Sequence, residues 1–178
     1  MGFGSSAVCD IRLNTVLTTE QRAKFQDSAT IRELLGQTKT IAIIGLSGEK
    51  TKASNMVASY LLDEGYTIIP VNPRATEILG QKCYPDLKSI DVPVDLVQVF
   101  RPASEVSAIV DDAIAISAKA IWLQLRIIDL PSADRAIEAG LIAIVDKCVK
   151  MEHGRYCGAL HWAGMNTEVI TAQRRKLR

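Results

Sequence analysis

Two hydrophobic periods alternate along most of this chain. Short continuous apolar runs are followed by stretches whose apolar positions recur every three or four residues. A run with no polar interruption is the mark of a strand buried on both faces, whereas the three-four spacing marks a helix with one apolar stripe. The first run covers residues 41–45 and ends in Gly45. A helix is predicted over 54–64, with Ser54 placed as its cap, Met56, Val57, Tyr60 and Leu61 on one face, and Gly65 as its stop. A second strand spans 67–71 and is closed by Asn72-Pro73, and a third spans 94–100. Ser104 is placed to cap the next helix, whose stripe is Val106, Ile109, Val110, Ala113 and Ile114. A fourth strand over 120–125, a short helix between Pro131 and Gly140, and a fifth strand over 141–145 complete the series. Residues 81–84 read as a small extra strand in the long second crossover.

Apolar strands alternating with helices predict an α/β fold, a Rossmann-like doubly wound parallel sheet of about five strands. The strand order expected is 3-2-1-4-5, with ligands at the carboxyl ends where the order reverses. Residues 1–38 differ from the rest, being polar with scattered apolar positions. They read as an N-terminal helical arm packed beside a main domain over 39–178, which includes a C-terminal tail. Within the arm, Thr30 and Glu33 form the pattern of a capping box, and Gly36 ends the helix it opens.

Composition narrows the class of protein. The 178 residues are 48% hydrophobic and 23% charged, with a net charge of +1. That is an ordinary globular balance, and no overall field draws the chain to nucleic acid or to a membrane surface. No apolar run approaches the roughly 20 residues that span a bilayer. The opening MGFGSS fits the loose myristoylation pattern through Gly2 and Ser6, but reads as a flexible start. The cluster Arg174, Arg175, Lys176 and Arg178 reads as a solvated end. Cys9, Cys83, Cys148 and Cys157 show neither a CxxC pair nor a disulfide framework, which favours a reducing cytoplasm.

Chemistry concentrates at the predicted strand ends. The stretch 40–54, TIAIIGLSGEKTKAS, runs from a strand through a Gly/Ser/Lys loop into a helix, an arrangement that aims backbone amides at an anion. Gly45, Ser47, Gly48, Lys50 and Lys52 follow the first strand, and Asn72, Pro73 and Arg74 the second. Phe100 and Arg101 end the third, Trp122, Gln124 and Arg126 mark the fourth, and Asp146, Lys147 and Lys150 follow the fifth. Lysine and arginine in excess at such a rim suit a polyanionic ligand. The loop has no third glycine for the dinucleotide fingerprint and no Gly-Lys-Ser/Thr for a Walker A loop. The end of the second strand carries Asn72 and Arg74 where NAD enzymes place an acid, which favours a phosphorylated ribose, as in NADP or coenzyme A.

In order along the chain, Gly45-Leu46-Ser47, Val71-Asn72-Pro73-Arg74, Val99-Phe100-Arg101, Trp122-Leu123-Gln124-Leu125 and Asp146-Lys147-Cys148 resemble the motifs of the stand-alone CoA-binding-domain proteins. These are small relatives of the nucleotide-binding domain of the succinyl-CoA synthetase α subunit. The later stretches 150–155 and 158–166 resemble the tail of the family's longer members. The resemblance implies coenzyme A in the strand-end crevice. It implies Gly45, Ser47 and Lys50 at the phosphates with Lys52 as a second cation, Asn72, Pro73 and Arg74 on the nucleotide side, and Phe100, Arg101 and Pro102 as the wall beyond; Leu46 is counted with the same loop, and Gln124, beside Trp122 in the fourth strand, is read as reaching the ligand edge. Gly48 and Glu49 depart from the family pattern, where a proline and a lysine are common, and Glu168 stands where a glycine is more usual.

Other groups are read as structural. His153, Cys157 and His161 stand four apart, a spacing that would hold zinc on one helix face, but Gly154, Gly158 and Gly164 disfavour that helix. They are read as a loop or turn with a packed cysteine. Cys148 and Trp122 read as core, and Asp111-Asp112 as solvated surface. His153 and Asp146 are the candidates for acid/base work, but no nucleophile with a paired base is legible. The leading expectation is a protein that binds CoA or acyl-CoA without an evident catalytic constellation or metal. The alternatives are an NADP-dependent reductase or other nucleotide-binding enzyme, and a ligand-free interaction protein. The implied partner is a small-molecule nucleotide, and the apolar helix faces leave a homo-oligomer open.

Overall fold

A computed structural model of the protein describes residues 17–157. Cys9, His161, Glu168, the opening MGFGSS, the stretch 158–166 and the basic C-terminal cluster lie outside the described residues.

Two short helices come first, α1 (Thr19–Phe25) and α2 (Ser28–Gln37). The alternating pattern then begins with β1 (Thr40–Ile44), α3 (Ala53–Asp63) and β2 (Thr67–Val71). A hairpin of β3 (Glu77–Ile78) and β4 (Gln81–Lys82) interrupts the second crossover. The series closes with β5 (Leu96–Val99), α4 (Ala103–Ala115), β6 (Ala120–Leu123), α5 (Leu130–Glu138), β7 (Ile142–Ile144) and α6 (Val149–Tyr156). β1, β2, β5, β6 and β7 form one parallel sheet, which is doubly wound. Val97, Val99, Ile121 and Leu123 face a core built with α4 and α5. Ile41, Ile43, Leu96 and Trp122 face a second core built with α2, α3 and α6.

The strand order is β2-β1-β5-β6-β7, so the expected 3-2-1-4-5 arrangement is incorrect. The third main strand, β5, lies beside β1, with Ile41 opposite Leu96 and Ile44 opposite Val99. Two features explain it. All four residues of β5 are buried, which suits an interior position. β2 carries Pro70, which has no ladder N–H and belongs on an edge strand. The free edge of β2 is closed locally by Tyr84, which bridges Val71, donates its N–H to Pro70 O and accepts that of Asn72. The reversal of order therefore falls between β1 and β5.

Several helix ends also differ from expectation. Asp27, not Thr30, caps α2, and its carboxylate accepts both the N–H and the hydroxyl of Thr30. The helix runs past Gly36 to Gln37. α1 adds a second helix to the arm, a helix of 7 residues closed by a Thr18–Gln21 capping box. Ser54 and Ser104 lie inside α3 and α4, whose cap positions are Lys52 and Pro102. Met56 points outward and is 50% exposed.

The arm closes the far edge of the sheet. Phe25 is buried in the α4/α5 core, whereas Ile31, Leu34 and Leu35 of α2 are buried in the opposite one. Between them, the Gln26 side chain donates to Val145 O at 2.8 Å, and Val145 N–H donates to Phe25 O at 3.4 Å. The segment thus crosses from face to face over β7, satisfying backbone groups that an edge leaves open.

Candidate functional site

A cleft of about 440 Å³ opens at the carboxyl ends of β1 and β2, beside the point where the strand order reverses. Its floor is the turn after β1. Gly45 has φ +79°, and a Cβ there would stand 2.8 Å from both Phe100 O and Arg101 Cδ. Only glycine meets both demands, a left-handed backbone and a close approach.

Side chains fix the loop that follows. Ser47 N–H donates to Ser54 Oγ, Glu49 N–H donates to Ser47 Oγ, and Asn55 Nδ2 donates to Ser47 O at 2.8 Å. Two of the loop's amides are therefore turned to the protein's own hydroxyls. Asn72 ties this loop to the next: its Nδ2 donates to Leu46 O, and its Oδ1 accepts from Arg74 N–H, both at 2.9 Å. Asn72 positions two strand-end turns relative to each other.

Of the residues singled out in the sequence, Gly45, Ser47, Asn72, Pro73, Arg74 and Arg101 line the cleft. The others do not. Leu46 is fully buried in the α2/α3/α6 core, and Phe100 packs against that core. Pro102 holds the cap position of α4. Lys50 and Lys52 are exposed on the turn before α3, where Lys52 Nζ stands 3.7 Å from Glu49. Glu49 points at Thr51 and Lys52, and the Thr51 hydroxyl, with Lys52 adding to it, holds its carboxyl below the usual range. Gln124 is 4% exposed, and its Nε2 has no hydrogen-bond partner among the described residues.

Sequence reasoning missed Asp86 and Glu105, and it read Asp112 as solvated surface although Asp112 lines the cleft. Asp86 comes from the second crossover, and Glu105 and Asp112 from α4. They share the lining with Arg74 and Arg101, so it is not the cationic rim expected from the strand ends alone. The acids are engaged: Arg101 Nε and Nη2 donate to Glu105 at 2.8 and 2.7 Å, Lys88 pairs with Asp112 at 2.6 Å, and Asp86 accepts from Ser89. The Ser89 bonds hold the Asp86 carboxyl below its ordinary value. No ion pair to the Arg74 side chain is found among the described residues.

The groups weighed for catalysis or metal lie apart from the cleft lining. His153 belongs to α6, which forms in spite of Gly154, a buried position of that helix. The helix corrects the expected loop at His153, whereas Cys157 stands in the turn that ends it and packs against the α2/α3/α6 core. His153 Nδ1 bonds Tyr60 Oη at 2.9 Å, and the ring stands edge-on to Tyr60 and Tyr66. Burial pushes its pKa down. Trp122 is fully buried and donates to Lys147 O at 2.7 Å. Asp146 (φ +57°) accepts Arg126 N–H (φ +65°) at 2.7 Å, which pins the turns after β6 and β7 together. Among the described residues no group of histidine, cysteine, aspartate or glutamate is arranged to hold a metal, and no helix is long and apolar enough to cross a membrane.

The fold agrees with comparisons to known proteins. The chain is 37% identical over 125 residues to the uncharacterized protein YneT of Bacillus subtilis, covering 70% of this chain and 93% of that one. A solved structure of a hypothetical protein from Pyrococcus horikoshii superposes with a TM-score of 0.72 at 36% identity, covering 74% of this chain and 93% of the other. An ADP-forming acetate–CoA ligase of Archaeoglobus fulgidus is 36% identical over 80 residues, 45% of this chain but only 12% of the ligase. The family model of the CoA binding domain matches residues 39–154, from the start of β1 into α6, and the chain belongs to that family.

Proposed function

We propose that this protein binds coenzyme A, free or as an acyl thioester, in the cleft at the ends of β1 and β2, as a binding protein rather than a catalyst. The observation that carries the reading is the position of the cleft. It opens beside the sheet's reversal point, over a glycine that lets the turn after β1 pack against Phe100 and Arg101, within the segment that matches the CoA binding domain. Arg74, with no ion pair among the described residues, supplies a cation for the ribose phosphate. Lys50 and Lys52 lie outside the cleft lining but are exposed on the turn after β1, from which they would reach over to the pyrophosphate. The match to part of a CoA ligase agrees with the same ligand, and the free thiols Cys83, Cys148 and Cys157 suit a reducing cytoplasm.

A thermal-shift panel of CoA, acetyl-CoA, NADP, NAD and ATP tests this. CoA at 100 times its Kd raises stability by about 2.7 kcal/mol. The double variant Lys50→Ala/Arg74→Ala loses the shift. A larger response to NADP than to CoA assigns the cleft to a reductase cofactor instead, and no response to any nucleotide leaves an interaction protein.

A further inference from the structure

The Arg101–Glu105 pair sits inside the cleft, not on an unrelated surface. Both residues line it, and the Arg101 stem lies against Gly45, with Cδ 2.8 Å from where a Cβ would stand. The guanidinium is the forked donor that would grip a phosphate, yet its Nε/Nη2 edge is taken by one carboxylate, at 2.8 and 2.7 Å. A carboxylate in that fork occupies the place of a phosphate's oxygens. The pair is nearly half exposed on both sides, 47% and 42%, so solvent screens it and little holds it closed. Glu105 lies in the first turn of α4, four residues beyond Arg101, and stays beside the cleft when the fork opens.

We infer that Glu105 is a built-in competitor for the phosphate seat, holding Arg101 until a diphosphate displaces it. The inference rests on the CoA reading for its natural ligand, but the seat itself is defined by the anion. The Nε/Nη2 edge of Arg101 becomes a contested donor, and because the pair is screened the preference is one of degree: a pyrophosphate-bearing nucleotide competes for that edge better than a singly charged carboxylic acid does.

Calorimetric titration with inorganic pyrophosphate, and separately with CoA, tests it on the full chain. Glu105→Gln keeps the size and the helix position but frees the fork. It should tighten pyrophosphate binding about two- to five-fold, the range expected from releasing an exposed ion pair. The gain should vanish in the double variant Arg101→Ala/Glu105→Gln. Asp86→Asn removes an equal charge from the same cleft without touching Arg101, and should give a smaller gain. Unchanged or weaker binding by Glu105→Gln overturns the inference, as does an equal gain from Asp86→Asn, or no binding of either probe by wild type and Glu105→Gln. Tighter pyrophosphate binding with no CoA binding by any variant keeps the seat and removes the CoA reading.

Discussion

At the scale of single residues, the tightest constraint is Gly45. Alanine there must adopt a φ of +79° and meet the Phe100 carbonyl oxygen at 2.8 Å, a backbone atom that cannot swing away. Gly45→Ala should cost about 1–3 kcal/mol. Differential scanning calorimetry should record the loss as a Tm lowered by roughly 2–10 °C. Gly48 has no positive φ, and a Cβ there would meet nothing within 4 Å, so it is the matched control and should tolerate alanine. His153 gives a prediction in pH. Burial holds its folded pKa below the ordinary 6.5, so the unfolded chain takes up the proton first. Its contribution is complete above about pH 6.5 and is lost as pH falls towards the lowered value. In urea melts, the stability advantage of wild type over His153→Gln should shrink between about pH 7.5 and about pH 5.5. Residues of this kind differ in legibility. Gly45 and Arg101 announce themselves by position after apolar runs, and Trp122 reads as core from its place inside one. Glu105 and Asp86 do not, because an acid in a helix's first turn or in a loop is ordinary there.

At the scale of elements, the apolar runs and stripes locate every main strand and the helices between them. Their boundaries slip where capping residues crowd together. Asp27 and Thr30 are both good caps three residues apart, and Glu33 lends Thr30 the pattern of a capping box. The cap that wins is set by where α2 must lie on the core. α6 is hidden for a related reason: a helical glycine lowers propensity, and only tertiary contact reveals that the small residue fits. The arm's anchoring is an element-scale property too. Phe25 is 2% exposed, in the core of α4 and α5, although it stands outside the matched family segment. Phe25→Ala should destabilise the fold by about 3–5 kcal/mol in chemical denaturation. A loss below about 1 kcal/mol would show that the arm is only resting on the sheet.

At the scale of the whole molecule, the order of strands is the part the local pattern leaves open, since hydrophobic period says that a strand is buried but not which neighbour buries it. One local signal does point to the answer. Pro70, inside the second apolar run, belongs on a sheet edge, and only an order with β2 outermost gives it one. The cleft is legible through three strand ends, but its opposite wall comes from the crossover and from α4, which meet it only through tertiary folding. That assembly from scattered stretches has a consequence for how the protein comes to exist as a binder. Gly45, Asn72, Asp86 and Arg101 sit far apart in the sequence, and nothing brings the last of them to the first until β5 has threaded in next to β1. A nascent or partly melted chain lacks the complete cleft, so tight binding of the proposed ligand would report that the sheet has closed.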